Sequence, residues 1–206
     1  MILPHGIVVA CTMLAAGAGT LLARRFDGVS LPLWAEGLSV AICGALVLWL
    51  GGAASLPHLL WTTALVLPLA TLAAIDAATR QLPDMLSWLL SALGVAHLLA
   101  TGAALATPVA AALFLVLSGL ALDRFAPDSP VGAGDFLIAA VAVIWIGVTP
   151  LIELALIAAV LVWLHFLLLV LLRLAGLVRT EPGGAPLGPS LAIAIAALWI
   201  AAPPPG

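Results

Sequence analysis

Apolar runs, each about as long as a membrane crossing, follow one another along almost the whole of this chain, and the breaks between them are short. A helix needs roughly 20 mostly apolar residues to cross the hydrocarbon core of a bilayer. Eight such segments can be drawn, at residues 3–23, 33–50, 59–78, 83–100, 108–122, 135–148, 151–172 and 187–202. The breaks carry turn chemistry: Asp27-Gly28, Gly51-Gly52, Gln81 to Pro83, Thr107-Pro108, residues 127–134, Thr149-Pro150 and residues 182–184. Of the 206 residues, 65% are hydrophobic and 7% charged, too few charges to cover a soluble domain of this length. The expected fold is all-α: a polytopic transmembrane bundle of about eight spans in one domain over residues 1–206. Pro83, Pro108 and Pro150 fall where helices should begin, a position that needs no backbone N–H. The sixth segment is short, about 21 Å at the standard rise.

Composition excludes several functions. Formal charge is −3 and all six basic residues are arginine, so there is no basic stripe to neutralise phosphates and no nucleic-acid partner is expected. Cys11 and Cys43 lie inside apolar runs and form no C-x-x-C pair; they read as small buried hydrophobes. His5, His58, His97 and His165 are scattered without ligand spacing, so no metal and no cofactor is expected. Residues 1–22 lack a basic n-region and run into Arg24-Arg25, which fits a retained first span better than a signal peptide.

Arginines set the orientation. Arg24 and Arg25 follow the first segment, Arg80 the third, Arg124 the fifth, and Arg173 and Arg179 the seventh. Translocating arginine is costly, so these four connections are expected on the cytoplasmic side and both termini outside. Trp34, Trp49, Trp61, Trp145 and Trp199 fall near segment ends, as interfacial indoles do, whereas Trp88 and Trp163 read as packing residues.

Against this apolar background the acids stand out, because an aspartate at mid-helix costs about 2.5–3.5 kcal/mol on insertion scales. Asp76 closes the third segment and Asp135 opens the sixth, so the arginine count puts both at the cytoplasmic end. Each also has a plain structural reading: Asp135 as a helix N-cap, Asp76 as the end of a span or a partner for Arg80 four residues on. Gly132 and Gly134 just before Asp135 favour function, since glycines permit turns and close backbone approach. Two carboxylates brought together share one proton over a broad pH range, which suits water activation and proton donation at a peptide bond without a metal.

Three stretches, DAATRQLPD at 76–84, GAGD at 132–135 and PLGPSLA at 186–192, occur in the order found in the type IV prepilin peptidases, bacterial inner-membrane aspartyl proteases of the G-x-G-D class. The chain resembles that family from about residue 65 onward. Residues 1–58 match it poorly and 59–206 would form the peptidase core. The resemblance implies Asp76 and Asp135 as the catalytic pair and Gly132, Gly134 and Asp84 as supporting residues. The substrate would be a prepilin or pseudopilin, and the reaction removal of its short basic leader after a glycine at the cytoplasmic membrane boundary. Asp84 stands where the family also accepts asparagine and reads as a cap for the fourth span. Pro186, Gly188 and Pro189 read as shaping the approach to the last span. Two departures matter: Leu137 replaces the lysine usual two residues after the motif, and the cysteine tetrad of longer methylating members is missing. A peptidase-only form is therefore expected. Two other readings stay open, an inactive relative in pilus or secretion assembly and a small proton-coupled transporter using the same acids as a relay.

Overall fold

The computed structural model describes residues 55–79, 82–126, 132–175 and 187–201. The expected spans at 3–23 and 33–50 lie outside the described residues, with Arg24, Arg25, Trp34 and Trp49. The described residues form six helices and no strand: α1 (Leu56–Thr79), α2 (Asp84–Thr101), α3 (Ala106–Phe125), α4 (Ala133–Ile146), α5 (Leu151–Leu174) and α6 (Gly188–Ala201). They coincide with the third to eighth apolar segments to within a few residues. Four of them, α1, α2, α3 and α5, are long and apolar enough to cross a membrane. With 14 residues each, α4 and α6 extend about 21 Å, short of a hydrocarbon core about 30 Å thick.

Turn chemistry explains the boundaries. Pro83 is the N-cap of α2, and Pro150 immediately precedes α5, whereas Pro108 is the third residue of α3 rather than its first. Gly102 ends α2 in the left-handed region at φ 68°, with its N–H on Leu99 O and that of Ala103 on Leu98 O. Gly147 ends α4 at φ 84° and ψ 179°, a conformation essentially restricted to glycine, and so turns the chain sharply into α5.

The two short helices lie inside. Residues 140–145 of α4 are all buried, and this helix packs on α2, α3 and α6. Helix α6 packs on α1, α4 and α5. Leu65, Leu69, Leu72 and Ile75 of α1 meet Ile138 and Val141 of α4 and Ala194 and Ile195 of α6 in one core. The outer helices show the opposite pattern: Phe114 and Leu117 of α3, and Ile152, Leu156 and Trp163 of α5, are all more than half exposed. A continuous apolar face of this extent suits contact with lipid.

An aromatic cluster closes one end of the bundle. His97 of α2 stacks on Trp145 of α4 and meets Trp61 of α1 and Trp199 of α6 edge-on, while His58 of α1 stacks against Trp199. Both buried indoles donate inward, Trp145 Nε1 to Leu90 O and Trp199 Nε1 to Thr62 Oγ1, each at 2.9 Å. The expectation of Trp145 and Trp199 as interfacial anchors is thus corrected: they are 4% and 6% exposed, and their N–H groups bind helices across the core. The reverse holds for Trp88 and Trp163, expected to pack inside but 54% and 70% exposed on outer faces. Thr62→Val keeps the shape and removes the acceptor of Trp199. With a buried indole N–H left unpaired, the variant is expected to lose about 1–3 kcal/mol, read as a lower melting temperature in detergent.

Candidate functional site

The acids lie at the other end of the bundle. Helix α1 runs from the aromatic cluster at His58 and Trp61 to Asp76 in its last turn, while α2, α4 and α6 run the opposite way and finish in that cluster. The N-termini of α2, α4 and α6 therefore gather at the end where α1 stops. Leu82, beyond the end of α1, lies against Gly134 at the start of α4, which ties Asp76 and Asp135 to the same end. Arg124, in the last turn of α3, is there too, since α3 and α4 pack antiparallel with Gly119 against Phe136. Arg80 and Arg179 lie outside the described residues.

Asp76 is 6% exposed. Its Oδ2 accepts the N–H of Gly188, the first residue of α6, at 2.9 Å in a buried bond. First-turn N–H groups have no partner within their own helix, and the helix dipole places partial positive charge there. The carboxylate thus caps α6 from another helix. A charge-assisted hydrogen bond of this kind contributes about 1.5–3 kcal/mol, which offsets part of the cost of burying the acid. Nearby, Thr79 Oγ1 donates to Ile75 O at 2.8 Å and satisfies a carbonyl of the last turn of α1.

Asp135 is the third residue of α4 and half-buried. It is not the N-cap: Gly132 holds that place, Oδ2 of Asp135 accepts the Gly132 N–H at 3.0 Å, and the Asp135 N–H donates to Gly132 O at 3.1 Å. This is the returning half of a capping box, with the acid reaching back to the N-cap backbone. The two motif glycines serve different ends. Gly132 has φ −90° and ψ 164°, extended backbone open to any residue, and no described atom lies within 4 Å of where its Cβ would stand. Gly134 is already helical, and a Cβ there would come within 3.2 Å of Leu82 Cδ1. A special turn is therefore not what these glycines provide; one leaves open space beside Asp135 and the other admits Leu82.

Asp84 is exposed and is the first helical residue of α2, not its cap, since Pro83 takes that place without a side-chain hydrogen bond. Its charge acts on the α2 dipole instead. Each of the three helix N-termini at this end thus has an aspartate beside it: Asp84 at α2, Asp135 at α4 and Asp76 at α6. Leu137 is 8% exposed, so the position where the resembling family carries lysine contributes packing here. Among the described residues, no group of three or more histidines, cysteines or acids could hold a metal ion. Sequence reasoning treated Gly188 as part of the approach to the last span, whereas the structure sets it against Asp76. No pattern in the sequence links positions 112 residues apart; a glycine between prolines at a helix start was the available signal.

The sequence model of the type IV leader peptidase family matches residues 63–167, just over half of the chain. The chain belongs to this family. The matched region contains Asp76, Asp84 and residues 132–135, while the stretch holding Gly188 lies beyond it. Among curated proteins and among solved structures none matches the chain.

The different surroundings of the two motif glycines give a direct test. Gly132→Ala is expected to leave the melting temperature in detergent within the error of measurement. Gly134→Leu drives a side chain into Leu82 and is expected to cost about 1–3 kcal/mol through overpacking.

Proposed function

We propose that this chain is a membrane aspartyl endopeptidase that removes the short basic leader of a prepilin- or pseudopilin-like protein. The site would lie at the cytoplasmic face of a bacterial inner membrane. The observation that carries the reading is a buried aspartate, Asp76, in the last turn of α1, with Asp135 at the same end of the bundle, both within the region matched by a peptidase family.

In this reading the two carboxyl groups hold one proton between them, because a second negative charge in so apolar a place is costly. The ionised member takes a proton from water as the water oxygen attacks the peptide carbonyl carbon. The protonated member gives its proton to the carbonyl oxygen and the tetrahedral intermediate forms. When the intermediate collapses, the C–N bond breaks, the amine takes the proton of the pair, and a hydroxyl of the intermediate returns its proton to the pair as the new carboxyl group forms, so the pair again holds one. Backbone N–H groups on Asp76 and Asp135 help to keep both acids in place.

Location supports the same conclusion. The substrate class is an apolar helix with a basic head, so its scissile bond lies where hydrocarbon gives way to water. Acids at the ends of helices suit that depth, and a midplane proton relay would instead need them near the middle. Among the described residues no atom stands within 4 Å of a Cβ at Gly132, which suits the approach of an extended substrate backbone next to Asp135. Leader capture also has an electrostatic aid, because Asp84 and Asp123 are exposed at this end.

Two outcomes test the reading. Co-expressed with a reporter whose basic leader ends in glycine before an apolar span, the wild-type protein should shorten the reporter. Asp76→Asn and Asp135→Asn should each slow cleavage by about 10²-fold or more, the scale of lost acid–base catalysis. With purified protein, kcat/KM for the same reporter should fall as ionic strength rises, because exposed charges attract at distances that salt screens.

A further inference from the structure

Helix α6 is joined to α1 by a polar bond at each of its ends. Trp199 Nε1 donates to Thr62 Oγ1 at one end, and Gly188 N–H donates to Asp76 Oδ2 at the other; both bonds are buried and both are 2.9 Å long. Between them α6 spans about 17 Å from Gly188 to Trp199, and α1 about 21 Å from Thr62 to Asp76, at the standard rise. The remaining few ångströms are covered by the side chains and by tilt. Neither helix can slide along the other without breaking one of the two bonds.

Gly188 is the position where this arrangement leaves no space. A Cβ there would stand 2.6 Å from Asp76 Oδ2, 3.0 Å from Cγ and 3.1 Å from Cβ, so the whole acid side chain lies across the site of the missing methyl. The backbone at Gly188 does not need glycine for its own sake, because among the described glycines a positive φ occurs at Gly102 and Gly147. Asp76 is a short side chain with two torsions, fixed to a buried helix, and cannot yield as the tip of a long chain would. Pro189, next in sequence, has no N–H, and the Gly188 N–H is the one on Asp76. Leu191 N–H is already used by Leu187 O.

We infer that Gly188 is a positioning residue for peptide cleavage: its bare Cα and its N–H together seat the Asp76 carboxylate in the plane the reaction needs. The inference rests on the aspartyl peptidase reading above. It gives a glycine outside the matched family region a role through Asp76, with no contact to substrate required. A methyl at this place must rotate the carboxylate or part α6 from α1, and displacements of about 1 Å at a reacting group cost on the order of 10²-fold in rate.

The test is a kinetic and stability comparison on full-length protein in detergent, with the leader-bearing reporter as probe. Gly188→Ala is expected to lower kcat by about 10²-fold with KM unchanged within about twofold. It should also lower the melting temperature, and that loss should shrink when Gly188→Ala is placed in an Asp76→Ala background, where Oδ2 and Cγ are gone. Wild-type kcat in Gly188→Ala, or a raised KM at constant kcat, overturns the inference while leaving the aspartyl reading intact so long as Asp76→Asn and Asp135→Asn are inactive. If those two variants cleave normally, the aspartyl reading fails and the inference falls with it. Should Gly188→Ala not accumulate in the membrane, recovery of the Asp76→Ala, Gly188→Ala double variant supports the contact. Equal loss of both overturns it.

Discussion

An acid buried among apolar helices must be given donors by the fold itself, because neither lipid nor a packed interior supplies them. Here one donor is a helix N-terminus. Asp76 accepts the first N–H of α6, and the same bond relieves two liabilities, an orphan amide at a buried helix start and a carboxylate in the core. Much of the architecture follows. Helix α6 must begin at the depth of Asp76, must begin with a residue lacking a side chain, and must be held there. The indole of Trp199 on Thr62 supplies the hold from the far end.

The division of the bundle into a rigid end and a reactive end has the same origin. Tryptophans and histidines on α1, α2, α4 and α6 interlock where these helices meet, and two indole N–H groups cross between helices. At the opposite end stand the three aspartates Asp76, Asp84 and Asp135, and glycine occurs at 119, 132, 134 and 188. A large aromatic volume at one end fixes the helices in space. Small residues at the other let backbone amides approach carboxylates.

The helices were largely legible in the sequence, because apolar runs of membrane length bounded by proline, glycine and aspartate leave little freedom for helix ends. The six described helices match the expected segments for that reason. The positions of Asp76 and Asp135 at one end followed from counting alternating spans, which needs no tertiary detail. What the sequence withheld was the direction each side chain faces. In a chain this apolar a tryptophan reads alike on a lipid face and in a core, so Trp145 and Trp199 were set too far out and Trp88 and Trp163 too far in. Capping was misjudged by a similar ambiguity. An aspartate near a helix start can sit at the N-cap, at the first residue, as Asp84 does, or at the third, as Asp135 does, and local sequence hardly separates these.

The two short helices bear directly on how the proposed chemistry is reached. The apolar side chains exposed toward lipid are concentrated on α3 and α5, while α4 and α6 fall several ångströms short of a hydrocarbon thickness. At the aromatic end Trp145 lies beside Gly94 and donates to Leu90 O, so α2 runs on past the end of α4, while at the other end α6 starts level with Asp76 in the last turn of α1. For the proposed substrate, whose apolar helix stays in the bilayer while its basic head stays in water, acids at the ends of helices would meet the peptide bond without drawing the head into hydrocarbon. The starts of α4 and α6 thus belong to the chemistry proposed for this chain as much as the acids do, since their backbone amides hold Asp135 and Asp76 at one end of the bundle, where burial favours one proton shared between them.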